Sequence, residues 1–279
     1  AANFGFLANR APAADGPLPG LRTHVDLPVA FRLAESFADP DGDAVSWRLV
    51  AAEHGSAHLR PDGTITFTPS PGFAGQATLT VQAEDGLYSS LPVSVPIHVS
   101  GAPLIGLELA QRSLQLELGE VFPLAVVGHF ADQPDVPLPA SYVQRTSDAE
   151  HVLRFGTQGQ LIGAARGVAV AQFSRGDIAV ATPVVVGDLL ENPSPEEINL
   201  VLTETLGLQV YPRAVTLPPG MTRQILVSLD ADFQTEAPLP SRFVVGNPGV
   251  ATVSAEGLIT ALAPGTTTVT VINGFSERT

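Results

Sequence analysis

The sequence predicts an all-β chain that folds as three consecutive β-sandwiches. Its 279 residues include 26 glycines and 25 prolines, which are scattered between short runs of alternating apolar and polar residues. Turn formers between alternating runs are typical of many short strands joined by tight turns. The length suits two or three domains, and an internal repeat in the last two thirds of the chain favours three.

The repeat relates residues 107–167 to residues 206–265. In each copy two glycines lie eight residues apart, Gly159 and Gly167 in the first and Gly257 and Gly265 in the second. We expect the first glycine of each pair to allow a positive φ in a hairpin. The second glycine turns the chain into a strand whose alternation puts one face into a sandwich core. The repeat therefore predicts two related sandwiches.

The two copies also share a run that precedes the glycines. It reads Asn-Pro-Gly-Val-Ala-Thr-Val at 247–253 and is matched loosely at 147–153. Together with the two-glycine ending, these residues resemble the bacterial immunoglobulin-like domain of group 2, over about 104–188 and 206–279. The resemblance implies an immunoglobulin-like sandwich for each segment. It says little about function, because such modules serve many surface proteins.

The segment before residue 100 differs from the repeat. Alternating runs predict four strands there, and in the first of them Val45, Trp47 and Leu49 fall on one face. The four runs lie at 45–50, 63–69, 77–83 and 91–99. With the acidic loop Asp-Pro-Asp-Gly-Asp at 39–43 and the run Asn-Arg-Ala-Pro at 9–12, the segment resembles a bacterial cadherin-like repeat over about 8–100. The resemblance implies another immunoglobulin-like sandwich.

The strongest candidate site is a cluster of aspartates in this first segment. Three of them lie within five residues, where they repel one another unless a cation or solvent screens them. A fourth lies on a later loop that could meet the first loop at one end of a sandwich. Ca²⁺ takes six to eight oxygen ligands, many of them from carboxylates. The alternative is a solvated acidic turn, in which aspartate and glycine serve as turn formers.

The cadherin-like resemblance implies that this cluster binds calcium. It adds an asparagine and a glutamate to the four aspartates as further ligands. The implied ligand set is Asp39, Asp41, Asp43, Asp85, Glu35 and Asn9.

The chain is thus predicted to have five parts. They are an N-terminal linker (1–10), a cadherin-like sandwich (11–102), a group 2 sandwich (103–188), a linker (189–205) and a second group 2 sandwich (206–279). A short helix is predicted in the linker at 189–205. Ser194 suits its N-cap, Pro195 its first position and Glu197 its third, where the carboxylate can reach back to the cap.

The last sandwich is expected to lack its final strand. In the first copy of the repeat, residues 178–186 form an apolar strand after a hairpin, whereas the second copy reaches Thr279 where that strand should begin. Three explanations are open: a boundary of the chain, disorder, or a strand supplied by another chain.

The tripeptide Arg175-Gly176-Asp177 occupies the position of a hairpin tip. An exposed tripeptide of this kind is a candidate for binding an integrin-type receptor. The alternative is that Gly-Asp is ordinary hairpin chemistry.

Charge and motifs argue against several classes of function. The net charge is −14 and all 14 basic residues are arginine, so no basic cluster would neutralise nucleic acid or an anionic membrane surface. No apolar run approaches the roughly 20 residues of a spanning helix, which argues against direct membrane insertion. No nucleophile elbow, zinc-protease helix or phosphate-binding glycine loop occurs. We therefore expect no catalysis.

These observations predict a fragment of a large bacterial surface protein or adhesin, located outside the cell or at its surface. It would act as a spacer, stalk or adhesion module, stiffened by calcium if the aspartates bind it. Its expected partners are neighbouring domains of the same polypeptide and cell-surface or glycan ligands. The alternatives are an accessory spacer or carbohydrate-binding region of a secreted polysaccharide-degrading enzyme, and a subunit of an extracellular filament.

Overall fold

The computed structural model describes residues 8–33, 36–189, 193–194, 197–200, 207–230, 233, 237 and 240–279. Among the described residues the regular secondary structure is almost entirely β-strand, as the sequence predicts. They fall into two compact units, Ala1–Ala102 and Pro103–Thr279, which are described separately below.

The first unit is a sandwich of nine strands. They are β1 (Ala13–Ala14), β2 (Leu21–His24), β3 (Val29–Arg32), β4 (Phe37–Ala38), β5 (Ser46–Glu53), β6 (Gly55–Leu59), β7 (Thr64–Pro69), β8 (Gly75–Glu84) and β9 (Val93–Ser100). One sheet has the order β2-β9-β8-β5, the other has the order β3-β7-β6, and β1 pairs with β4. All pairs are antiparallel except β2 with β9, which is parallel over four residues.

The core of this unit lies between the two larger sheets. Along β8 every second residue, from Ala77 to Ala83, is at most 1% exposed, because successive side chains of a strand point to opposite faces. Phe67 on β7 faces them and is also fully buried. Trp47 packs against the edge of this core, and a Cβ at Gly63 would lie 2.8 Å from its ring. The alternation predicted this arrangement.

The second unit contains the two copies of the repeat as two sandwiches. The second sandwich consists of β10 (Leu104–Leu109), β11 (Leu114–Leu116), β12 (Val121–Phe122), β13 (Val126–Phe130), β14 (Val136–Leu138), β15 (Gln144–Ser147), β16 (Leu153–Phe155), β17 (Leu161–Gly163), β18 (Gly167–Arg175) and β19 (Ile178–Val186). Its sheets have the orders β10-β13-β14, β11-β19-β18-β15 and β12-β17-β16. The pairing of β11 with β19 is parallel.

The third sandwich consists of β20 (Gln209–Tyr211), β21 (Thr222–Gln224), β22 (Leu226–Ser228), β23 (Arg242–Val245), β24 (Ala251–Val253), β25 (Leu258–Ala261), β26 (Val269–Asn273) and β27 (Ser276–Arg278). Its sheets have the orders β20-β22, β21-β25-β24 and β23-β26-β27. Its core cluster includes Leu208, Ile225, Ile259 and Val271.

The repeat is visible in backbone geometry as well as in sequence. The hairpin glycines of the two copies have φ values of +80° and +84°. Gly167 and Gly265 have φ values of +148° and +154°, and a Cβ there would lie 2.9 Å from Val152 and 2.8 Å from Val250, respectively. Both copies therefore need glycine at the second position. Any other residue would have a strained backbone there, and its side chain would collide with the valine at the equivalent position of that copy.

The final strand of the third sandwich is short. In the second sandwich β19 pairs with β18 over nine residues, whereas β27 pairs with β26 over three. Strand β27 thus stands where the sequence predicts the final strand to be missing. It pairs only with the end of β26 that adjoins the hairpin.

In the linker between the two sandwiches, residues 198–200 are helical. The Glu197 carboxylate accepts a hydrogen bond from the Ser194 backbone N–H at 2.7 Å, which is the reach-back contact of the predicted cap. Pro195 and residues 201–206 of the predicted helix lie outside the described residues. None of the described helical residues forms a helix long and apolar enough to span a membrane.

Candidate functional site

The acidic loop of the first unit is folded by its own aspartates. Asp39 Oδ1 accepts hydrogen bonds from the backbone N–H groups of Asp41 at 2.8 Å and Asp43 at 3.1 Å, so it builds a turn. Asp39 Oδ2 is buried without a hydrogen-bond partner among the described residues. Asp43 is exposed. This arrangement is the turn chemistry that the sequence offered as the alternative to a metal site.

The cationic side chain of Arg10 is bonded to the acidic loop. Asp41 Oδ1 accepts from Arg10 Nε at 3.0 Å and from Nη2 at 2.7 Å, while Oδ2 accepts from the Arg10 backbone N–H at 2.7 Å. Arg10 Nη2 also donates to the Pro40 carbonyl at 2.6 Å. These bonds lower the pKa of Asp41 below its usual value. Arg10 thus takes both oxygens of the carboxylate at the centre of the loop.

Asp85 lies close to the same loop and is saturated by other donors. Its Oδ1 accepts the backbone N–H groups of Tyr88 and Leu87, both at 2.7 Å, and its Oδ2 accepts from Asn9 Nδ2 at 2.8 Å. The Tyr88 and Leu87 bonds lower the pKa of Asp85. The negative charge of Asp85 acts to raise the pKa of Asp41, so the two carboxylates repel each other electrostatically.

Four of the predicted calcium ligands, Asn9, Asp39, Asp41 and Asp85, therefore lie close together in the first unit. Within the residues that the structure describes, no three histidine or acidic side chains are grouped to hold a metal ion. Glu35 lies outside the described residues. Oxygen donors suit calcium, but those of Asp41 and Asp85 are bonded to Arg10, backbone amides and Asn9. Calcium binding by these residues stays a prediction from the sequence.

We expect calcium to leave the thermal stability of the wild-type chain unchanged, because Arg10, Asn9 and backbone amides already bond the oxygens of Asp41 and Asp85. In Arg10→Gln the fixed cation is lost, and millimolar calcium should then raise the melting temperature relative to chelator, since a ligand that binds only the native state stabilises it. Arg22→Gln is the matched control: Arg22 is also exposed on this unit, and its loss should create no response to calcium. A rise with calcium in the wild type would contradict this interpretation.

In the Arg-Gly-Asp hairpin, the arginine side chain packs against Tyr142. Gly176 and Asp177 are exposed at the tip between β18 and β19. The Arg175 guanidinium lies 4.4 Å from the centre of the Tyr142 ring, and its Nη1 donates to the Tyr142 carbonyl at 3.4 Å. Cation–π contact holds such a side chain against the sheet. Receptor binding by this tripeptide stays a prediction from the sequence.

The functional feature that sequence reasoning missed is an ion pair between the second and third sandwiches. Arg112 Nε donates to Glu277 Oε1 and Arg112 Nη2 to Glu277 Oε2, both at 3.0 Å. The Glu277 side chain is 6% exposed and that of Arg112 is 29% exposed. Such a bidentate, charge-assisted pair fixes the mutual orientation of its partners as well as their distance.

Neutral groups complete the hydrogen bonding of this pair. Glu277 Oε1 also accepts from the hydroxyls of Ser113 at 3.2 Å and Thr182 at 3.1 Å. Arg112 Nη2 donates to the Ala181 carbonyl at 3.0 Å and to Thr270 Oγ1 at 3.2 Å. Donors and acceptors from both sandwiches therefore share one network, and buried networks of this kind are strongest when every member is satisfied.

An apolar contact lies beside the network. Val170 and Ala181 of the second sandwich pack against Ile272 and Val244 of the third. This contact explains why β19 is apolar at consecutive positions rather than at alternate ones, since strands buried on both faces read as continuous apolar runs. That run was the one sequence signal of the interface.

Two polar contacts mark the rim of the same interface. Arg242 Nη2 lies 3.0 Å from Asp148 Oδ2, with 46% and 35% of the two side chains exposed. The Ala179 backbone N–H donates to the Gly246 carbonyl at 3.2 Å. The interface thus has a buried centre and a solvated edge.

Comparisons with known proteins identify two of the three sandwiches by family. The model of the bacterial Ig domain family matches residues 9–97, and that of the group 2 bacterial Ig-like domain matches residues 206–278. The first match covers the segment that resembles a cadherin-like repeat. No curated protein matches the chain.

The solved structures to which the chain is similar are distant. An endo-fucoidan hydrolase of glycoside hydrolase family 107 is 16% identical with a TM-score of 0.27, over 63% of this chain and 28% of its own. Domains EC1–2 of human protocadherin-24 are 12% identical with a TM-score of 0.29, over 65% and 99%. The surface layer protein SbsC is 16% identical with a TM-score of 0.24, over 98% and 40%. The chain thus spans less than half of the hydrolase and of the surface layer protein.

The family matches and the sheets agree on the type of domain. Residues 9–97 belong to the bacterial Ig domain family and residues 206–278 to the group 2 bacterial Ig-like family, and the chain folds as tandem Ig-like β-sandwiches.

Proposed function

We propose that the chain is a non-catalytic spacer of a bacterial surface protein or adhesin, working outside the cell, in which residues 103–279 act as one rigid body. The buried Arg112–Glu277 pair carries this proposal. A pair of flexibly linked domains needs no fully bonded ion pair between them, whereas a spacer that must hold a fixed geometry benefits from one.

The energetics favour a fixed interface over transient contact. Separation of the two sandwiches would expose the apolar contact around Ile272 and break a bidentate pair whose glutamate is 6% exposed. Separation would return both charges to water, which offsets much of their mutual attraction, so the bidentate pair mainly fixes the orientation of the two sandwiches. The apolar contact supplies the favourable free energy of the interface.

Carbohydrate binding is less well supported than spacing. The chain has one tryptophan, Trp47, and its ring packs on the core of the first unit under Gly63. A stacking platform for sugars requires an exposed aromatic face. The exposed aromatic rings among the described residues are Tyr88 and Tyr211, one in each unit. A single exposed ring on a unit is less than a stacking platform, which favours the spacer over the carbohydrate-binding region considered from the sequence.

A distance measurement between the second and third sandwiches tests the rigid body. The chain has no cysteine, so Thr157→Cys and Ala255→Cys place two spin labels at equivalent exposed hairpin positions of the two copies. We expect a single narrow distance distribution by pulsed electron paramagnetic resonance. Adding Glu277→Ala should broaden it, whereas adding Arg242→Ala at the solvated rim should not. A broad distribution in the doubly labelled parent would refute the rigid body.

A further inference from the structure

The second sandwich has an open cavity of about 380 Å³ on its surface, which we call the arginine pocket. One part of its lining is polar and consists of Arg145 and the hairpin residues 158–160. The other part is apolar and consists of Val121, Pro123, Leu124, Ala125, Leu138 and Ala140. Ligand pockets have volumes of about 300–1,000 Å³, so this cavity suits a small group.

The arginine of the pocket lies on the inner face of its sheet. Arg145 on β15 is directly opposite Phe173 on β18, and directly opposite residues have their side chains on the same face. Phe173 is fully buried in the core. A cation on such a face is costly unless it is paired, because a charge loses hydration there.

The third sandwich has a phenylalanine at the corresponding position. Phe243 takes the same place in the register of β23 with β26 that Arg145 takes in that of β15 with β18. A Cβ on the hairpin glycine Gly257 would lie 2.8 Å from the Phe243 ring. A Cβ on Gly159 would lie 2.5 Å from Arg145 Cζ. An aromatic ring thus fills this place in one copy, so packing alone does not require a charge at position 145.

The charge of Arg145 has no counter-charge in the part of the chain that the structure describes. Its half-buried guanidinium has neither a hydrogen bond nor an ion pair there, and burial lowers its pKa. None of the described lining residues is acidic, although the chain has 28 acidic residues and only 14 basic ones. The pocket therefore favours an anion from outside.

The hairpin adds a neutral donor to the pocket. Gln160 Oε1 accepts the Gln158 backbone N–H at 3.0 Å, which leaves Gln160 Nε2 as the donor of that side chain. A carboxylate can accept two parallel hydrogen bonds from a guanidinium and still has lone pairs for an amide. The polar lining therefore suits a carboxylate, and the apolar lining suits aliphatic groups beside it.

We propose that the arginine pocket binds an acidic residue of a peptide segment of another protein, flanked by aliphatic residues. Arg145 pairs with the carboxylate, Gln160 donates to it, and the aliphatic neighbours pack on Val121 and Leu124. None of the described lining residues is aromatic, which favours a peptide over an acidic sugar. The second sandwich would then bind a partner as well as contribute to a spacer.

A peptide titration of the isotope-labelled full chain, followed by nuclear magnetic resonance, tests this proposal. With millimolar acetyl-Leu-Glu-Val-amide we expect saturable shifts of the Arg145 Nε–H and of the backbone amides at 158–160. The peptide with glutamine in place of glutamate has the same shape without the charge, and it should bind roughly tenfold more weakly. Added salt should reduce this difference, because it screens the attraction to Arg145.

Variants of the chain locate the binding site. Arg145→Phe introduces the residue of the other copy, so it should fold with the melting temperature of the wild type and bind roughly tenfold more weakly or less. Arg145→Gln should weaken binding in the same way. Arg154→Gln is the matched control, because Arg154 is an exposed arginine on β16 of the same hairpin and does not line the pocket.

Three outcomes would overturn the proposal. They are no shifts at 158–160 with millimolar peptide, equal binding of the glutamate and glutamine peptides, and undiminished binding to folded Arg145→Gln. Shifts of the same amides by glucuronate but not by the peptide would also overturn it, because they would assign the pocket to an acidic sugar. None of these outcomes bears on the distance measurement between the sandwiches.

Discussion

Glu277→Ala should lower the free energy of unfolding of residues 103–279 by about 3 kcal/mol. The substitution leaves the Arg112 guanidinium, which is 29% exposed, facing an interface without its counter-charge. Removing one partner of a buried ion pair costs about 3–5 kcal/mol, and the partial exposure of Arg112 places the expected value at the lower end. Urea unfolding followed by hydrogen exchange of β26 measures the change.

Two further variants separate the ion pair from simple truncation. Arg242→Ala removes the solvated rim pair of the same interface and should cost at most about 1 kcal/mol, as exposed pairs do. The double variant Arg112→Met with Glu277→Leu should recover part of the lost stability, because apolar replacement of a whole buried pair is often neutral, while the Ser113 and Thr182 hydroxyls lose their acceptor. A double variant as unstable as Glu277→Ala would assign the loss to packing rather than to an unpaired charge.

Phe173→Ala should cost about 3–5 kcal/mol, the range for removing a large buried aromatic side chain. Phe173 is fully buried in the second sandwich, and its ring meets that of Phe155 edge-on at 5.7 Å. Because the interface joins the two sandwiches, we expect one unfolding transition at lower denaturant and a parallel loss of hydrogen-exchange protection in β26 of the third sandwich.

The control for this variant is Leu258→Ala, on the exposed side of the third sandwich, which should change stability by less than about 0.5 kcal/mol. Two separate transitions, with β26 as protected in Phe173→Ala as in wild type, would show that the sandwiches unfold independently. In that case the contact around Arg112 and Glu277 would not couple them energetically.

Local alternation predicted four of the nine strands of the first unit, β5, β7, β8 and β9, because strand burial is itself periodic. The alternation from Ala77 to Ala83 required a buried face, and the structure buries it. The same holds for the paired glycines, since Gly167 and Gly265 have backbone angles that other residues rarely adopt. Such features depend on a few neighbouring residues, so one sequence is enough to find them.

The sites could not be predicted in the same way because their partners are distant along the chain. Arg112 and Glu277 are 165 residues apart, and nothing in either neighbourhood specifies the other. Arg10 illustrates the same limit, because the acidic loop indicates that a cation is needed but not which cation supplies it. An arginine 31 residues away from Asp41 does so.

The parallel pairing of β2 with β9 has a mechanical consequence for a domain that bears tension. Strand β9 ends the first sandwich and β2 lies near its start, and they pair in parallel from Leu21 with Ile97 to His24 with Ser100. A pull on the two ends in opposite directions slides these strands along each other, so their hydrogen bonds are loaded together rather than broken one by one. The same geometry joins β11 to β19. The second sandwich should therefore resist a pull on its two ends in the same way.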